Sequence, residues 1–273
     1  MRVAVTGARG FIGRVVVDAL HESGHTPVDL SLETGFDVRG EFTLYAEACI
    51  HLAGVLGTHE LFDTVHEAID VNVHGTVNVL EACRDAGAAY VGITMPQVFP
   101  SIYTATKVCA TRLATAYHHT YGVPVSHVRA FNAFGPGQAH GPGHPQKIVP
   151  TFAVEAWAGR PIPIWGDGTQ SVDLIHTSDL ARMLVEAVRF GGDEVFDGGT
   201  GEAFTVNEIA EMVIDITGSD AGIEYLPMRR GETPTHIHAT GAGWDQLGWE
   251  PGFFYSQLVD TVVSYKDQQI AAA

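Results

Sequence analysis

Basic residues are scarce in this 273-residue chain. It has 15 lysines and arginines against 32 aspartates and glutamates, which gives a formal net charge of −17 at pH 7. A protein that binds nucleic acid through its phosphates needs a basic surface, so we expect no nucleic-acid partner. Any phosphate-bearing ligand must be held by local groups such as helix N-termini, backbone amides and a few arginines.

Long apolar runs and a cysteine framework are also absent. No stretch approaches the ~20 apolar residues that span a bilayer, and the first residues resemble a β-strand more than a signal peptide, so we expect no membrane partner. Cys49, Cys83 and Cys109 are widely spaced and odd in number, which favours neither disulfides nor a zinc site. The 14 histidines lack flanking ligands at a familiar spacing, so we expect no metal. A reducing cytoplasm is the predicted location.

The N-terminal residues have the order strand, glycine turn, helix. Residues 3–6 form an apolar run, GARGFIG follows at 7–13, and an amphipathic stretch then ends at Gly24. Glycines at this spacing allow a tight turn, a close approach to a pyrophosphate, and close packing of helix on sheet. The pyrophosphate would lie on the helix N-terminus. The predicted dinucleotide contacts from this segment are Gly7, Arg9, Gly10, Phe11, Ile12 and Gly13.

The end of the second predicted strand, residues 26–30, bears on the choice between NAD and NADP. A carboxylate is expected there to bind the adenosine ribose of NAD. Ser31 occupies that position instead, with Asp29 inside the strand and Glu33 just beyond it. Ser31 would tolerate a 2′-phosphate that Arg9 could reach. No basic residue follows Ser31 directly, so we predict NAD and keep NADP as the alternative.

Further strands and helices alternate along the chain. Strands are predicted at residues 48–54 and 89–94, and helices at 65–86 and 102–121. This alternation predicts an α/β fold with a Rossmann-type doubly wound parallel sheet. His51 is predicted to be a packed strand histidine. Asn72 would either bond backbone near the active site or cap a local turn, and the pattern leaves both open.

Tyr103 and Lys107 lie one turn apart on one face of the predicted helix 102–121. The helix follows the C-terminal end of a strand, where ligands bind in open α/β sheets. A free tyrosine has a pKa near 10, but a lysine ammonium and an oxidised nicotinamide nearby would both favour its phenolate. The pair is therefore a candidate hydride-transfer site with Tyr103 as base. An ordinary exposed tyrosine and lysine are the alternative, because this spacing is common.

Together these segments resemble the extended short-chain dehydrogenase/reductase family, in particular its NAD-dependent epimerase/dehydratase branch acting on nucleotide sugars. The resemblance covers almost the whole chain. It rests on TGARGFIG at 6–13, FDV at 36–38, HLAG at 51–54, NVHGTVNVLEA at 72–82, YTATK at 103–107, RAFNAFGPGQ at 129–138, GDGTQSVDLIHTSDLA at 166–181, RRGE at 229–232 and LGWEP at 247–251. It implies an NAD(P)-binding Rossmann domain of residues 1–133 plus about 172–199, and a smaller C-terminal nucleotide-sugar lobe of about 134–171 and 200–273.

The resemblance also implies roles for single residues. Tyr103 would be the catalytic base, and Lys107 its activator and a ligand of the nicotinamide ribose. The other cofactor contacts would be Ser31, the adenine-contacting pair Asp37 and Val38, and the strand end Leu52, Ala53 and Gly54. The substrate diphosphate would be bound by Asn132, Lys147 and Arg229. Family members commonly dimerise, so we expect a homodimer through the helices at about 65–86 and 102–121.

Two positions depart from the family pattern. The family's catalytic Ser or Thr falls on Met95, whose thioether cannot donate a hydrogen bond. We take Thr94 as the substitute, with Ser101 or Thr104 as alternatives, because the connection to the helix is shorter than usual. Val172 stands where an arginine often lies, which leaves more of the phosphate binding to the lobe's basic residues.

The expected function is that of an NAD-dependent nucleotide-sugar epimerase, acting at C4 through a transient 4-keto intermediate. A dehydratase, a decarboxylase or an NADPH-dependent ketoreductase of the same family is the alternative. The Thr-Asp-Glu-like run typical of dehydratases is absent from residues 94–99, which makes that branch less favoured. From another class, a catalytically degenerate NAD(P)-binding regulator is supported by Met95 and Val172 and opposed by the intact Tyr103–Lys107 pair.

Overall fold

The structure, a computed structural model, describes residues 1–96, 98–141 and 144–266, so residues 267–273 of the predicted lobe lie outside it. Its strands are β1 (Arg2–Thr6), β2 (Thr26–Leu30), β3 (Ala48–His51), β4 (Ala89–Thr94), β5 (Val125–Ala130), β6 (Asn132–Phe134), β7 (Ile162–Trp165), β8 (Ser171–His176), β9 (Gly192–Gly198), β10 (Ala203–Thr205), β11 (Ile223–Leu226) and β12 (His236–Ile237). Its helices are α1 (Phe11–Glu22), α2 (Val65–Ile69), α3 (Gly75–Ala86), α4 (Ile102–Tyr121), α5 (Ile148–Trp157), α6 (Thr177–Ala187), α7 (Val206–Thr217), α8 (Ala242–Leu247) and α9 (Phe254–Ser264), with a 3₁₀ turn at Leu32–Thr34 and a π turn at Asp70–His74.

Six strands form one parallel sheet in the order β2-β1-β3-β4-β5-β9. The chain leaves β1 to one side for β2 and then to the other side for β3. This reversal opens a crevice at the C-terminal end of β1, where such sheets bind ligands. The predicted Rossmann-type doubly wound sheet is confirmed. Among the described residues β2 is an edge strand, and it contains Pro27, which lacks the N–H that an inner strand needs.

Helices cover both faces of this sheet because its strands are apolar on both sides. Val3, Ala4 and Val5 of β1 are fully buried and point alternately to the two faces. On one face α1 packs on α6 and buries Val16 and Leu20, which lie on one helical stripe. On the other face α3 packs on α4. The N-termini of α1 and α4 therefore lie at the same edge of the sheet, where β1 and β4 end.

A smaller lobe follows, built from a four-stranded sheet of β6, β8, β10 and β12 and a two-stranded sheet of β7 and β11. Helices α5, α7 and α9 enclose its core, which includes Phe134, Phe152 and Tyr265.

Two segments pack on the other unit than the one to which the expected division assigned them. β8 pairs within the lobe, so the chain returns to the main sheet only with α6 and β9. Trp244 of α8 enters the main core, where its indole donates to the Gly199 carbonyl. Periodicity alone does not show which strands pair, and the functional division into cofactor and substrate units stays a prediction.

The helical stretch predicted at residues 65–86 contains a wider turn. After α2 the π turn accommodates one extra residue, and α3 then continues to Ala86, beyond which Gly87 adopts a left-handed φ of 64°. The π turn places Asn72 in a buried position. In contrast, α4 occupies the predicted range without interruption. No helix among the described residues is both long and apolar enough to cross a membrane.

Candidate active site

The glycine loop between β1 and α1 leaves the N-terminus of the helix open. Gly7 has a left-handed φ of 68°, and its amide donates to the Leu30 carbonyl at 2.8 Å, which fixes the loop against β2. A Cβ on Gly13 would lie 2.1 Å from the Gly7 carbonyl oxygen, so only glycine allows α1 to come this close. Gly10 precedes the helix and has no side chain to cap it. The first amide groups of α1 are therefore available to an anionic ligand.

The end of β3 lies directly beside this loop. The amides of Leu52 and Ala53 both donate to Thr6 Oγ1 at 3.1 Å. A Cβ on Gly7 would lie 3.0 Å from the Ala53 nitrogen, and one on Gly54 would lie 3.0 Å from the side chain of the buried asparagine of the π turn. Small residues are thus required where the two strand ends meet. The structure brings together the cofactor contacts expected from the ends of β1 and β3.

The end of β2 differs from the arrangement that would favour NADP. Ser31 is buried, and its hydroxyl donates to Asp29 Oδ1 at 2.5 Å. Arg9 Nε donates to Asp29 Oδ2 at 2.7 Å. Both groups that the sequence offered to a 2′-phosphate are thus bound to an internal carboxylate. Residues i and i+2 of a strand share a face, and this period is the sequence signal that links Asp29 to Ser31.

Of the two residues expected to contact adenine, Asp37 is partly exposed and Val38 lies in the core. Arg39 Nε donates to both oxygens of Asp37, at 3.0 and 2.9 Å, and these hydrogen bonds hold the pKa of Asp37 below its ordinary value. Val38 is buried against α3, where a Cβ on Gly75 would lie 2.8 Å from Val38 Cγ2. Asn78 Nδ2 fixes this segment by donating to the Val38 carbonyl at 2.9 Å. Contact with adenine stays a prediction.

The Tyr103–Lys107 pair lies in the first turns of α4, at the edge of the sheet where β4 ends. Burial raises the pKa of Tyr103 to about 12 and lowers the pKa of Lys107 to about 8. Lys107 is 8% exposed, and within the described residues its Nζ makes no hydrogen bond, so the ammonium is free to bind a ligand. Both shifts oppose ionisation of the pair. A positive charge bound beside Tyr103 would be needed to bring its pKa toward neutrality.

Each candidate for the second catalytic hydroxyl is engaged with α4. The hydroxyls of Thr94 and Thr111 lie 2.9 Å apart, and Thr111 is one helical turn after Lys107 on α4. Ser101 caps the helix by accepting from the Thr104 amide at 3.1 Å, and the hydroxyls of Ser101 and Thr104 lie 3.0 Å apart. Met95 follows β4 directly and is partly buried. The role of Thr94 stays a prediction.

Asn72 bonds backbone beside the active site, which was one of the two alternatives that the sequence left open. Its Oδ1 accepts from the Val55 amide at 2.9 Å, and its Nδ2 donates to the Val55 carbonyl and to Thr106 Oγ1, both at 3.0 Å. Thr106 in turn donates to the Tyr103 carbonyl at 2.9 Å. Asn72 therefore connects the loop after β3 to the helix of the catalytic pair.

His51 is a packed histidine at the end of β3. Its Nδ1 lies 2.7 Å from Thr6 Oγ1 and its Nε2 lies 3.1 Å from Thr76 Oγ1. Because the Thr76 hydroxyl donates to the Asn72 carbonyl at 2.7 Å, it accepts from His51 Nε2–H. Burial, with a smaller effect from the charge of Lys107, lowers the pKa of His51 to about 3. His51 is therefore neutral and joins the glycine loop to the π turn.

A second polar group lies in the lobe around Lys147 and Arg229. Arg229 Nε donates to Glu232 Oε2 at 2.9 Å, and its guanidinium stacks 4.7 Å from the centroid of the Trp165 ring. Burial lowers the pKa of Lys147, which Glu60 opposes and Arg229 reinforces. The structure thus brings the two predicted phosphate ligands near each other, with Glu60 and Glu232 as the carboxylates that act on them.

Three further positions bear on the predicted substrate site. Gln146 Oε1 accepts from Arg229 Nη1 at 3.3 Å, a contact across 83 residues for which the sequence gave no signal. The Asn132 side chain is exposed at the start of β6, and among the described residues it makes no hydrogen bond. Val172 packs against the lobe core. Described residues include no group of three or more histidines, cysteines or carboxylates placed to hold a metal.

Comparison with known proteins identifies the family. Residues 3–197 match the model of the NAD dependent epimerase/dehydratase family. UDP-glucuronate 4-epimerase of Thermodesulfobacterium geofontis is 28% identical over 84% of this chain and 75% of its own, and dTDP-glucose 4,6-dehydratase of Streptomyces niveus is 26% identical over 98% and 94%. The structure of UDP-glucose 4-epimerase with UDP-glucose from Thermotoga maritima superposes with a TM-score of 0.87, at 25% identity over 98% of this chain and 100% of that chain. The chain belongs to the NAD-dependent epimerase/dehydratase family.

The geometry of the glycine loop fits the NAD that this family uses. The open helix N-terminus matches a pyrophosphate, and the close glycine contacts leave the backbone exposed to it. At the end of β2 the acidic side chain is Asp29, which accepts from Ser31. The predictions of an enzyme of this family and of NAD as its cofactor are confirmed.

Proposed function

We propose that this enzyme is a nucleotide-sugar 4-epimerase. One observation carries the proposal: the partly buried Tyr103 and the buried Lys107 lie in the first turns of α4, and residues 95–101, which lead into the helix, contain no carboxylate. Eliminating water from a sugar needs a base for a C–H proton and an acid for the departing hydroxyl. Epimerisation through a ketone needs one proton-transfer group besides the cofactor.

In the proposed reaction each group of the chain has a defined task. Tyr103, as phenolate, takes the proton of the sugar C4 hydroxyl and returns it to the oxygen after the ketone has turned its other face. Lys107 binds the nicotinamide ribose and favours the phenolate by its charge. Bound NAD supplies the acceptance and return of the C4 hydride. Thr94 is retained as the proposed partner hydroxyl, with Ser101 and Thr104 as alternatives.

Substrate binding is proposed at the basic group of the lobe. Lys147 and Arg229 would bind the diphosphate, Asn132 would add a neutral ligand, and the Trp165 ring that already holds the Arg229 guanidinium would keep it in place. Local cations are needed because the chain as a whole repels anions. The proposal leaves open whether the substrate is a UDP-sugar or a dTDP-sugar, and which sugar it carries.

A labelled substrate tests the proposal. UDP-glucose, UDP-glucuronate and dTDP-glucose carrying deuterium at C4 would be incubated with the purified enzyme and NAD, and the products analysed by chromatography and mass spectrometry. An epimerase gives a second sugar nucleotide of unchanged mass that keeps its deuterium, because the hydride returns to C4. Tyr103→Phe should lower the rate by about 10²–10⁴.

Other results would replace the proposal by a named alternative. Loss of the mass of water would support a dehydratase, which the 26% identical relative over 98% of the chain makes the second candidate. Loss of carbon dioxide would support a decarboxylase. Net consumption of NADPH, in a parallel incubation with NADPH in place of NAD, would support a ketoreductase. If every sugar were recovered unchanged, a degenerate NAD-binding regulator would be favoured.

A homodimer in a cytoplasmic setting remains part of the proposal. A groove of about 700 Å³ runs along α4 between the residues before the helix and its outer face, and its lining includes the apolar residues Val98, Pro100, Ala105, Val108 and Leu113. Pairing of this face, together with α3, with a second copy would bury it. Light scattering of the purified enzyme would give a mass of about twice 29.2 kDa for a dimer, whereas a monomer mass would contradict the proposal.

A further inference from the structure

One arginine connects the helix of the glycine loop to the lobe. Arg14 lies near the start of α1, directly after Gly13. Its Nη2 donates to the Pro136 carbonyl at 2.8 Å, a contact across 122 residues. A Cβ on Gly137 would lie 2.3 Å from the same nitrogen, so the guanidinium lies directly against the backbone there. Gly137 also has a left-handed φ of 75°, which favours glycine.

The turn at residues 135–138, which Arg14 contacts, belongs to the lobe. Tyr265 at the end of α9 is fully buried, and its hydroxyl donates to the Gln138 carbonyl at 3.0 Å. Along the chain the turn stands between Asn132 and Lys147, two of the proposed diphosphate ligands. The position of this turn therefore bears on where both ligands lie.

The charge of Arg14 lies at the end of α1 where a positive charge is unfavourable without a ligand. The N-terminus is the positive end of the helix dipole, and the first turn of α1 contains no acidic residue. A diphosphate on the open amides of α1 would bring negative charge to this end and make the same position favourable. Because a guanidinium has five N–H donors, the bond to Pro136 is kept when the charge is balanced.

We propose that Arg14 is a positioning residue that couples cofactor binding at the glycine loop to the lobe, through the turn at residues 135–138. When the amides of α1 hold the diphosphate, the Arg14–Pro136 bond is favoured, and that bond fixes the turn. The effect on the turn depends on the cofactor alone, whereas its extension to the substrate rests on the proposed function. Coupling between two ligands is reciprocal, so a diphosphate bound in the lobe should also tighten the binding of NAD.

Hydrogen–deuterium exchange of the nucleotide-free protein, with and without saturating NAD, tests the link without any substrate. In the wild type NAD should slow exchange of the peptide that contains residues 135–138 at least ~5-fold. Arg14→Met keeps an apolar stem but removes the donors, so NAD should leave exchange of this peptide unchanged. Gly137→Ala should do the same, because its Cβ displaces the guanidinium. Exchange of the glycine-loop peptide, residues 6–13, should slow in every variant and so report that NAD is bound.

Arg2→Met is the matched control for this experiment. Arg2 Nε also donates from an exposed side chain to a backbone carbonyl, that of Tyr45 at 3.1 Å, but at the opposite end of β1 from the glycine loop. This variant should keep the wild-type response to NAD. The proposal is overturned if NAD does not slow exchange of the turn in the wild type, or if Arg14→Met responds as the wild type does.

Calorimetry with UDP, which carries no sugar, separates this inference from the proposed function. UDP should bind the wild type at least ~5-fold more tightly with NAD than without it, and this ratio should fall to about one in Arg14→Met. A wild type that binds UDP equally well in both conditions overturns the coupling to the substrate site and leaves the diphosphate site in place. If neither UDP nor dTDP bound the wild type, the proposed diphosphate site would be wrong, and the exchange experiment would still decide the role of Arg14.

Discussion

Asn72 Nδ2 donates to Thr106 Oγ1 across 3.0 Å, which connects the π turn before α3 to the helix that carries Tyr103. Thr106 has one hydroxyl hydrogen, which it gives to the Tyr103 carbonyl, so it accepts from Asn72. The same asparagine holds both backbone groups of Val55. One buried side chain therefore fixes the loop after β3 relative to the catalytic helix.

Asn72→Ala should lower both stability and turnover. It leaves the Val55 amide and carbonyl without their partner, which at ~1–3 kcal/mol per buried group predicts a loss of about 2–4 kcal/mol in the free energy of unfolding. Looser placement of Tyr103 should reduce kcat about 10-fold or more. Urea denaturation and initial rates on the identified substrate would measure the two effects.

Asn207→Ala provides the matched control for this change. Asn207 Nδ2 also donates to a backbone carbonyl, that of Asp167, at 3.1 Å, but on the surface of the lobe. The free energy of unfolding of this variant should fall by about 1 kcal/mol or less, and its kcat should be unchanged. If Asn72→Ala kept full kcat while losing stability, the link to Tyr103 would be structural only.

Lys107→Met should stabilise the cofactor-free protein near neutral pH. Burial lowers the folded-state pKa of Lys107 to about 8 from 10.5. Between about pH 8 and 10.5 the unfolded chain binds more protons, so the lysine's contribution to stability rises with pH and is least favourable below pH 8. Removing the charge should therefore raise the free energy of unfolding by up to about 3 kcal/mol at pH 7 and by almost nothing at about pH 10.5.

Urea titrations from pH 7 to pH 10 would check this prediction. Lys266→Met is the control, because Lys266 is exposed beside the Trp157 ring and its replacement should change the free energy of unfolding little. A Lys107→Met protein that is less stable than the wild type at pH 7 would show that the ammonium is favourably bound in the folded state.

Arg229→Met should weaken binding of the nucleotide part of the substrate. Loss of a guanidinium that meets a diphosphate predicts about 10-fold weaker binding of UDP or dTDP, with a smaller dependence on salt. Arg230→Met is the neighbouring control, since Arg230 lies over the Phe62 ring at 5.3 Å and is not assigned to the phosphate site. Calorimetry would compare the two, and equal affinities for both variants would contradict the assignment.

Gly13→Ala should abolish NAD binding and cost about 1–3 kcal/mol of stability, because its Cβ would lie 2.1 Å from the Gly7 carbonyl oxygen and must push α1 away from the loop. Gly40→Ala is the comparison, since the nearest atom to its Cβ would be 3.7 Å away. That variant should unfold within about 0.5 kcal/mol of the wild type. Thermal unfolding with and without NAD would separate the two effects.

Much of the fold could be read from local pattern. Strand β4 and helix α4 lie at their predicted bounds because apolar period and turn residues decide such elements locally. The π turn within residues 65–86 could not be read, since it depends on Asn72 meeting Val55 and Thr106 from other elements. Strand β8 pairs within the lobe for a similar reason: pairing is chosen by tertiary packing.

The sequence by itself determined the glycine loop and the Tyr103–Lys107 pair, because a tight turn and one helical turn are set by neighbouring residues. Only the tertiary structure decided that Asp29 binds Arg9, 20 residues earlier, and that Lys147 lies near Arg229 in the lobe. Interactions between charged groups depend on distance through space and on burial. Both are fixed only when the sheet, its helices and the lobe pack together.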